Sequence, residues 1–210
     1  FLGTIGDIGV MSFDHGKMIA CGEGGMVLTN NKNYAEFVSQ YSDHGHENNP
    51  NLPRGQDNRV MPGFNYRLTE IQAAIGKVQL TKLEFMLVEN KKRYEVLRKS
   101  ISTFYKIREE LPFHKGSYDT FIFNVIDPLL REKIISFIKE SNFGTKNLPD
   151  AMEWHCSYFW EHALDKEQIL NSKRSFQILT NQIAIPILLK KSIFEYQKLG
   201  DGIASLFSID

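Results

Sequence analysis

Ile8-Gly-Val-Met-Ser-Phe-Asp-His-Gly-Lys17, followed by Gly22-Glu-Gly-Gly-Met-Val-Leu-Thr29, holds two short apolar runs separated by a polar, glycine-bearing connection. Ile8 to Phe13 and Gly25 to Thr29, each bounded by turn residues, read as buried strands. Ligands of open α/β sheets gather at strand ends, where loops leave backbone N–H groups free. Lys17 therefore stands where an amine can act as a phosphate-binding charge, or as a nucleophile that forms a Schiff base when its neighbours lower its pKa. Ser12 adds a hydroxyl suited to a phosphate oxygen. Against this, most lysines are solvated and strand-end glycines often only make turns. Spacing alone gives no motif as specific as a Walker A loop.

Asn31 to Tyr41 carries Tyr34, Phe37, Val38 and Tyr41 at helical spacing, which predicts an amphipathic helix. Residues 44–64 hold Pro50, Pro53 and Pro62 and no hydrophobic period, so a long loop is expected, of the kind that is functional or disordered. Thr69-Glu-Ile-Gln72 fits a capping box, and the apolar positions Ile71, Ile75, Val78, Leu83, Leu87, Tyr94 and Leu97 predict one long helix to about residue 101, with a domain hinge near residue 85. Asn65, Tyr66 and Arg67 stand just before that helix. Its free N–H groups and the arginine fork suit a phosphate or carboxylate, although these residues serve equally well to fix the loop.

Further on, Thr120 to Ile126 is a predicted strand, and Asp127-Pro128 opens a helix to about Ser141. Ile183 to Ile187 is another strand, and Ile193 to Leu206 a last helix interrupted by Gly200 and Gly202. The basic stretch from Arg93 to Arg108, offset by Glu95, Glu109 and Glu110, reads as a solvated helix face.

With 25 Lys+Arg against 25 Asp+Glu among 210 residues, the formal charge is zero. Generic nucleic-acid or polybasic membrane binding needs a positive excess and is not indicated. Cys21 and Cys156 form no CxxC pair, so the default is a reducing cytoplasm without a disulfide or zinc framework. No apolar run reaches the roughly eighteen residues of a membrane helix. The chain begins at Phe1 in what reads as the middle of a fold, so a fragment is expected.

The blocks SFDHGK…GEGGMVLTN, then DHG, then GFNYRLTEIQAAIG, over roughly residues 1–85, resemble the C-terminal half of the DegT/DnrJ/StrS family of pyridoxal 5′-phosphate (PLP)-dependent sugar aminotransferases. The resemblance implies an α/β chain of PLP-dependent transferase fold type I, with residues 1–84 the end of the large PLP-binding domain and 85–210 the small C-terminal α/β domain. It implies Lys17 as the lysine that carries PLP and Ser12 as a ligand of the cofactor phosphate. Asn65 would reach the phosphate in the neighbouring subunit, with Arg67 at the adjacent basic position, so a homodimer with composite sites is implied. Glutamate is the implied amino donor and a keto- or aldehyde-sugar the acceptor. The carboxylate at the pyridinium nitrogen and the ring-stacking residue lie upstream in such proteins, so this chain alone is expected not to hold PLP tightly.

The loop Asp43 to Arg54 and the segment Gly144 to His155 are similar to the subgroup that aminates the 8-position of the acid sugar Kdo, in lipopolysaccharide synthesis. Basic and imidazole groups suit an acidic sugar, and His15, His44, Tyr66 and His155 are the candidate substrate contacts. Some members carry histidine in place of the lysine and are sugar dehydratases; Lys17 favours transamination. A non-catalytic binding homologue is the other alternative, against which Lys17 also weighs. No metal is expected from His44-Gly-His46-Glu47, which lacks a third ligand at a known spacing. The aromatic run Trp154 to Trp160 suits a sugar ring but reads first as core or interdomain contact, and His155 with Cys156 makes no nucleophile pair.

Overall fold

The computed structural model describes residues 2–53, 55–113 and 115–207, and the chain divides into two compact units, Phe1–Glu84 and Phe85–Asp210. In the first, β1 (Gly9–Ser12) and β2 (Gly25–Leu28) pair antiparallel, Gly9 opposite Leu28 and Ser12 opposite Gly25. Helix α1 (Lys32–Ser42) follows, its N-terminus capped by the Asn31 side chain. After a long loop comes α2 (Glu70–Thr81), opened by the expected capping box of Thr69 and Gln72.

Two expectations fail here. The strands are not buried: Val10 is 75% exposed, and Met11, Met26 and Val27 are exposed as well. Apolar residues on both faces of a ribbon need cover on both faces, and these two strands have no third strand beside them among the described residues. The long helix is also two helices, because the chain turns at Lys82 before α3 (Leu83–Ile101); the Lys82 N–H bonds back to Gln79 and Leu80 in a tightened turn.

The second unit is a two-layer α/β arrangement. β3 (Thr120–Asn124) and β4 (Gln182–Pro186) pair antiparallel, Phe121 opposite Ile185 and Phe123 opposite Ile183. On the outer side of β3, Ile107 bridges to Phe123. Strand β3 buries every second residue, as a half-covered strand must. Onto that face pack Leu97 and Ile101 of α3, Ile134 and Ile138 of α4 (Pro128–Glu140), and Tyr196, Leu199 and Ile203 of α8 (Ile193–Phe207). Three short helices lie between α4 and β4: α5 (Met152–His155), α6 (Lys166–Asn171) and α7 (Lys173–Thr180).

Helix α8 runs through Gly200 and Gly202 without interruption. The glycines mark close approach instead of a break: a Cβ on Gly202 would lie 2.1 Å from the Phe137 ring, and one on Gly200 2.9 Å from Ser100 Cβ. The Tyr196 hydroxyl accepts from the Leu188 N–H at 2.7 Å and donates to the Pro186 carbonyl at 3.0 Å, tying α8 to the end of β4; burial pushes its pKa up to about 12. Arg93 departs from the solvated face expected of its stretch. It is buried, and its guanidinium donates to the Lys191 carbonyl at 2.9 Å and to the Glu89 carbonyl and carboxylate, each at 2.8 Å.

Candidate active site

Beyond the β1–β2 ladder the pairing continues loosely, with Phe13 N–H bonded to the Gly24 carbonyl at 2.8 Å and Cys21 N–H to the Phe13 carbonyl at 3.0 Å. These bonds hold residues 13–24 as a defined loop. Inside it Asp14 organises three neighbours: it accepts the Gly16 N–H at 2.6 Å and the Ser12 hydroxyl at 3.2 Å, and Lys17 Nζ stands 3.6 Å from the same carboxylate. The Gly16 hydrogen bond above all, with the charge of Lys17 and the Ser12 hydroxyl, holds the Asp14 carboxyl below its ordinary value. The Lys17 side chain is 51% exposed, so its amine is accessible. His15 is exposed on the same turn. Asp14 was not singled out from the sequence, although an aspartate two residues after Ser12 at a strand end is the usual sign of such a turn.

The segment Phe64–Arg67 is fixed against the end of α1. His44 N–H bonds to the Phe64 carbonyl at 2.9 Å, Phe64 N–H to the Tyr41 carbonyl at 2.8 Å, and Tyr66 N–H to the Ser42 carbonyl at 2.9 Å. This crossing admits only glycine at position 45: φ is +77° and a Cβ would fall 1.7 Å from the Met61 carbonyl oxygen. Arg67 donates to the Asp43 carboxylate, and the Tyr66 ring stacks on Phe64 with centroids 5.5 Å apart. Asn65 is exposed, its backbone bridged to Asp43. The 44–64 loop also carries an unforeseen dyad, His46 Nδ1 to Asp57 at 2.8 Å; that hydrogen bond, with the Asn48 N–H, keeps Asp57 below its usual pKa.

The two segments meet through small residues. A Cβ on Gly24 would lie 2.9 Å from Leu68 Cδ1 and 3.0 Å from Cys21 Sγ, and one on Gly76 3.7 Å from Cys21 Cβ. Ser12, His15, Lys17, His44, Asn65, Tyr66 and Arg67 thus belong to one unit. His155 does not: it is exposed at the end of α5 in the other unit.

An accessible lysine and a hydroxyl thus lie close together at one strand end of an α/β chain, on either side of Asp14. The chain belongs to the DegT/DnrJ/EryC1/StrS aminotransferase family, whose model matches residues 1–190. It is 33% identical over 121 residues to the GDP-perosamine synthase of Escherichia coli O157:H7, a match covering 58% of this chain and 30% of that protein. It is 26% identical over 172 residues to the lipopolysaccharide biosynthesis protein RfbH of Salmonella typhimurium, covering 70% and 39%. The chain thus spans well under half the length of these curated relatives. Among solved structures, the aminotransferase TlmJ from Streptoalloteichus hindustanus superposes with a TM-score of 0.76 at 20% identity, over 98% of this chain and 53% of that one. Helicobacter pylori PseC, an aminotransferase of pseudoaminic acid biosynthesis, gives 0.73 at 17%, over 98% and 54%. The fold is that of these aminotransferases, as the α/β reading expected. No helix among the described residues is long and apolar enough to cross a membrane.

Proposed function

We propose that the protein is a PLP-dependent sugar aminotransferase of cell-envelope polysaccharide or lipopolysaccharide biosynthesis, moving an amino group from glutamate to a keto- or aldehyde-sugar. The observation that carries this is Lys17 Nζ, accessible at the end of β1, in one loop with Ser12. That donor set fits the cofactor: a primary amine condenses with an aldehyde, and a hydroxyl accommodates a phosphate oxygen. Ser12 would hold the phosphate and Lys17 the aldehyde carbon, with Asn65 and Arg67 reaching the phosphate in a second subunit of a homodimer. PLP, when bound, supplies the electron sink that acidifies the donor's Cα–H. Lys17, as a free amine, takes that proton from the donor carbon and returns it on the acceptor side. Asp14, 3.6 Å away, is the counter-charge that receives the ammonium form.

For the acceptor we favour the acid sugar 8-oxo-Kdo, with His15, His44 and Tyr66 of the first unit as candidate contacts. A nucleotide-linked keto-sugar, the kind of substrate suggested by the name of the perosamine synthase relative, is the competing acceptor. Reaction in the cytoplasm follows from the same reading. The test supplies full-length protein with PLP, glutamate and each sugar in turn and follows the products by mass spectrometry. Amination of 8-oxo-Kdo, lowered about 10³-fold or more by Lys17→Ala, is expected. Amination of only the nucleotide-linked sugar would overturn the acceptor, loss of water without gain of nitrogen would assign a dehydratase, and no reaction at all would favour a binding homologue.

A further inference from the structure

His46 and Asp57 form the most covered pair of an acid and a base among the described residues of the first unit. Their side chains are 13% and 6% exposed, while Gly55, Gln56, Asn58 and Arg59 beside them are exposed. His46 Nδ1 stands 2.8 Å from one carboxylate oxygen, and the Asn48 N–H donates to the other at 2.9 Å. An ionised carboxylate only accepts, so Nδ1 carries the hydrogen. The His46 bond is the foremost cause of the lowered Asp57 pKa. Covering a carboxylate costs desolvation, which a surface loop with no structural task avoids by leaving the acid in water.

The task here is closure of the 44–64 loop at its base. Beside the pair, Glu47 N–H bonds to the Asn58 carbonyl at 2.8 Å and Val60 N–H to the Gly45 carbonyl at 2.9 Å, and His46 bridges to Arg59. Asn48 Nδ2 donates to Ser39 Oγ at 3.1 Å and ties the same base to α1. Just before His46 the backbone is left-handed at both His44, φ +58°, and Gly45. Gly63 lies against that turn, where a Cβ would fall 2.3 Å from the Gly45 nitrogen and 2.8 Å from the Tyr41 carbonyl oxygen. Two residues later the chain reaches Asn65 and Arg67, held to Asp43 by a backbone bridge and by the arginine's hydrogen bond to the carboxylate. Separation of residues 57–60 from 45–48 would therefore carry the 63–67 segment with it.

We propose that His46 and Asp57 are positioning residues for Asn65 and Arg67, keeping the loop closed so that this segment is in place before a cofactor phosphate arrives. Ordering the segment at the moment of binding would otherwise subtract from affinity. The proposal rests on the aminotransferase reading and adds to it two residues that act through the loop and not on the cofactor. Their loss falls on cofactor binding through Asn65 and Arg67.

The test titrates full-length protein with PLP by absorption. His46→Ala should raise the Kd about tenfold. His46→Asn, whose amide nitrogen takes the place of Nδ1, should stay within about threefold of the parent. Added to a protein already carrying Asn65→Ala and Arg67→Ala, His46→Ala should change the Kd by less than about twofold, because the groups it positions are gone. In the cofactor-free protein, hydrogen exchange should quicken at the Phe64 and Tyr66 amides of His46→Ala, with α2 at parent rates. A parent that binds no PLP would overturn the aminotransferase reading and this proposal together. A parent that binds PLP would leave that reading standing, and three results would then overturn the proposal alone: a Kd unchanged in His46→Ala, a His46→Asn as weak as His46→Ala, or the full His46→Ala loss persisting without Asn65 and Arg67. Unaltered exchange at Phe64 and Tyr66 would do the same.

Discussion

The groups that matter most in this chain are short-range organisers that pattern reading passes over. Asp14 gathers Ser12, Gly16 and Lys17 onto one carboxylate, and Arg93 leaves its expected helix face to clamp carbonyls some hundred positions away. Glu195 does the same for the start of α8. It accepts the Ser192 N–H at 2.7 Å, Lys191 Nζ at 3.0 Å and the Ser192 hydroxyl at 2.9 Å, and in that order these lower its pKa from 4.5 to about 2. A carboxyl whose folded pKa is depressed stabilises the fold above its unfolded pKa and loses that contribution as pH falls through the folded one. Urea midpoints measured between pH 4.5 and about 2 should therefore fall less steeply for Glu195→Gln than for the parent. Parallel curves would show that the cap is not formed. Lys17 and Ser12 could be singled out from the sequence because a family-like block and a strand end coincide there. Asp14, Arg93 and the His46–Asp57 dyad were not, because each gains its meaning from a partner that only the folded backbone supplies.

Among the helices and strands, local signals held where chemistry is local. The Thr69–Gln72 box, the Asn31 cap and the Asp127-Pro128 start each satisfy helix N–H groups from within three residues, so sequence suffices to place them. Ser192 with Glu195 and Asp165 with Gln168 follow the same rule and were open to the same reading. What failed depended on neighbours. The apolar period across Lys82 continues although the backbone turns there, and the glycines of α8 looked like breaks because their partners, Phe137 and Ser100, belong to other helices. Gly202→Ala separates the two views. Helix propensity alone would stabilise by about 1 kcal/mol, whereas overlap with the Phe137 ring should destabilise by about 1–3 kcal/mol. Thermal unfolding is expected to show a net loss, restored in part by Phe137→Leu; a gain would mean the helices can separate at no cost.

Within this chain burial is uneven between the two units. All the buried hydrophobic side chains found among the described residues belong to Phe85–Asp210 except Cys21. The first unit, which carries Lys17, Ser12, Asn65 and Arg67, is held chiefly by backbone bonds and exposed aromatic stacks. Hydrogen exchange of the 210-residue chain should then show strong protection in β3, β4 and the core-facing turns of α3, α4 and α8, with early exchange in β1, β2 and α1. Uniform protection would contradict this division. The family was legible from three motif blocks in the first unit, while the second unit showed only its α/β character.

The central claim is that Lys17 is the amine that carries the cofactor. Full-length protein incubated with PLP should show a visible absorption band of lysine-bound cofactor that gives way to the pyridoxamine form when glutamate is added. Borohydride reduction followed by peptide mapping should place the label on Lys17, and Lys17→Ala should show neither band nor label. A band and a label that persist in Lys17→Ala, or their absence from the parent protein, would contradict the account.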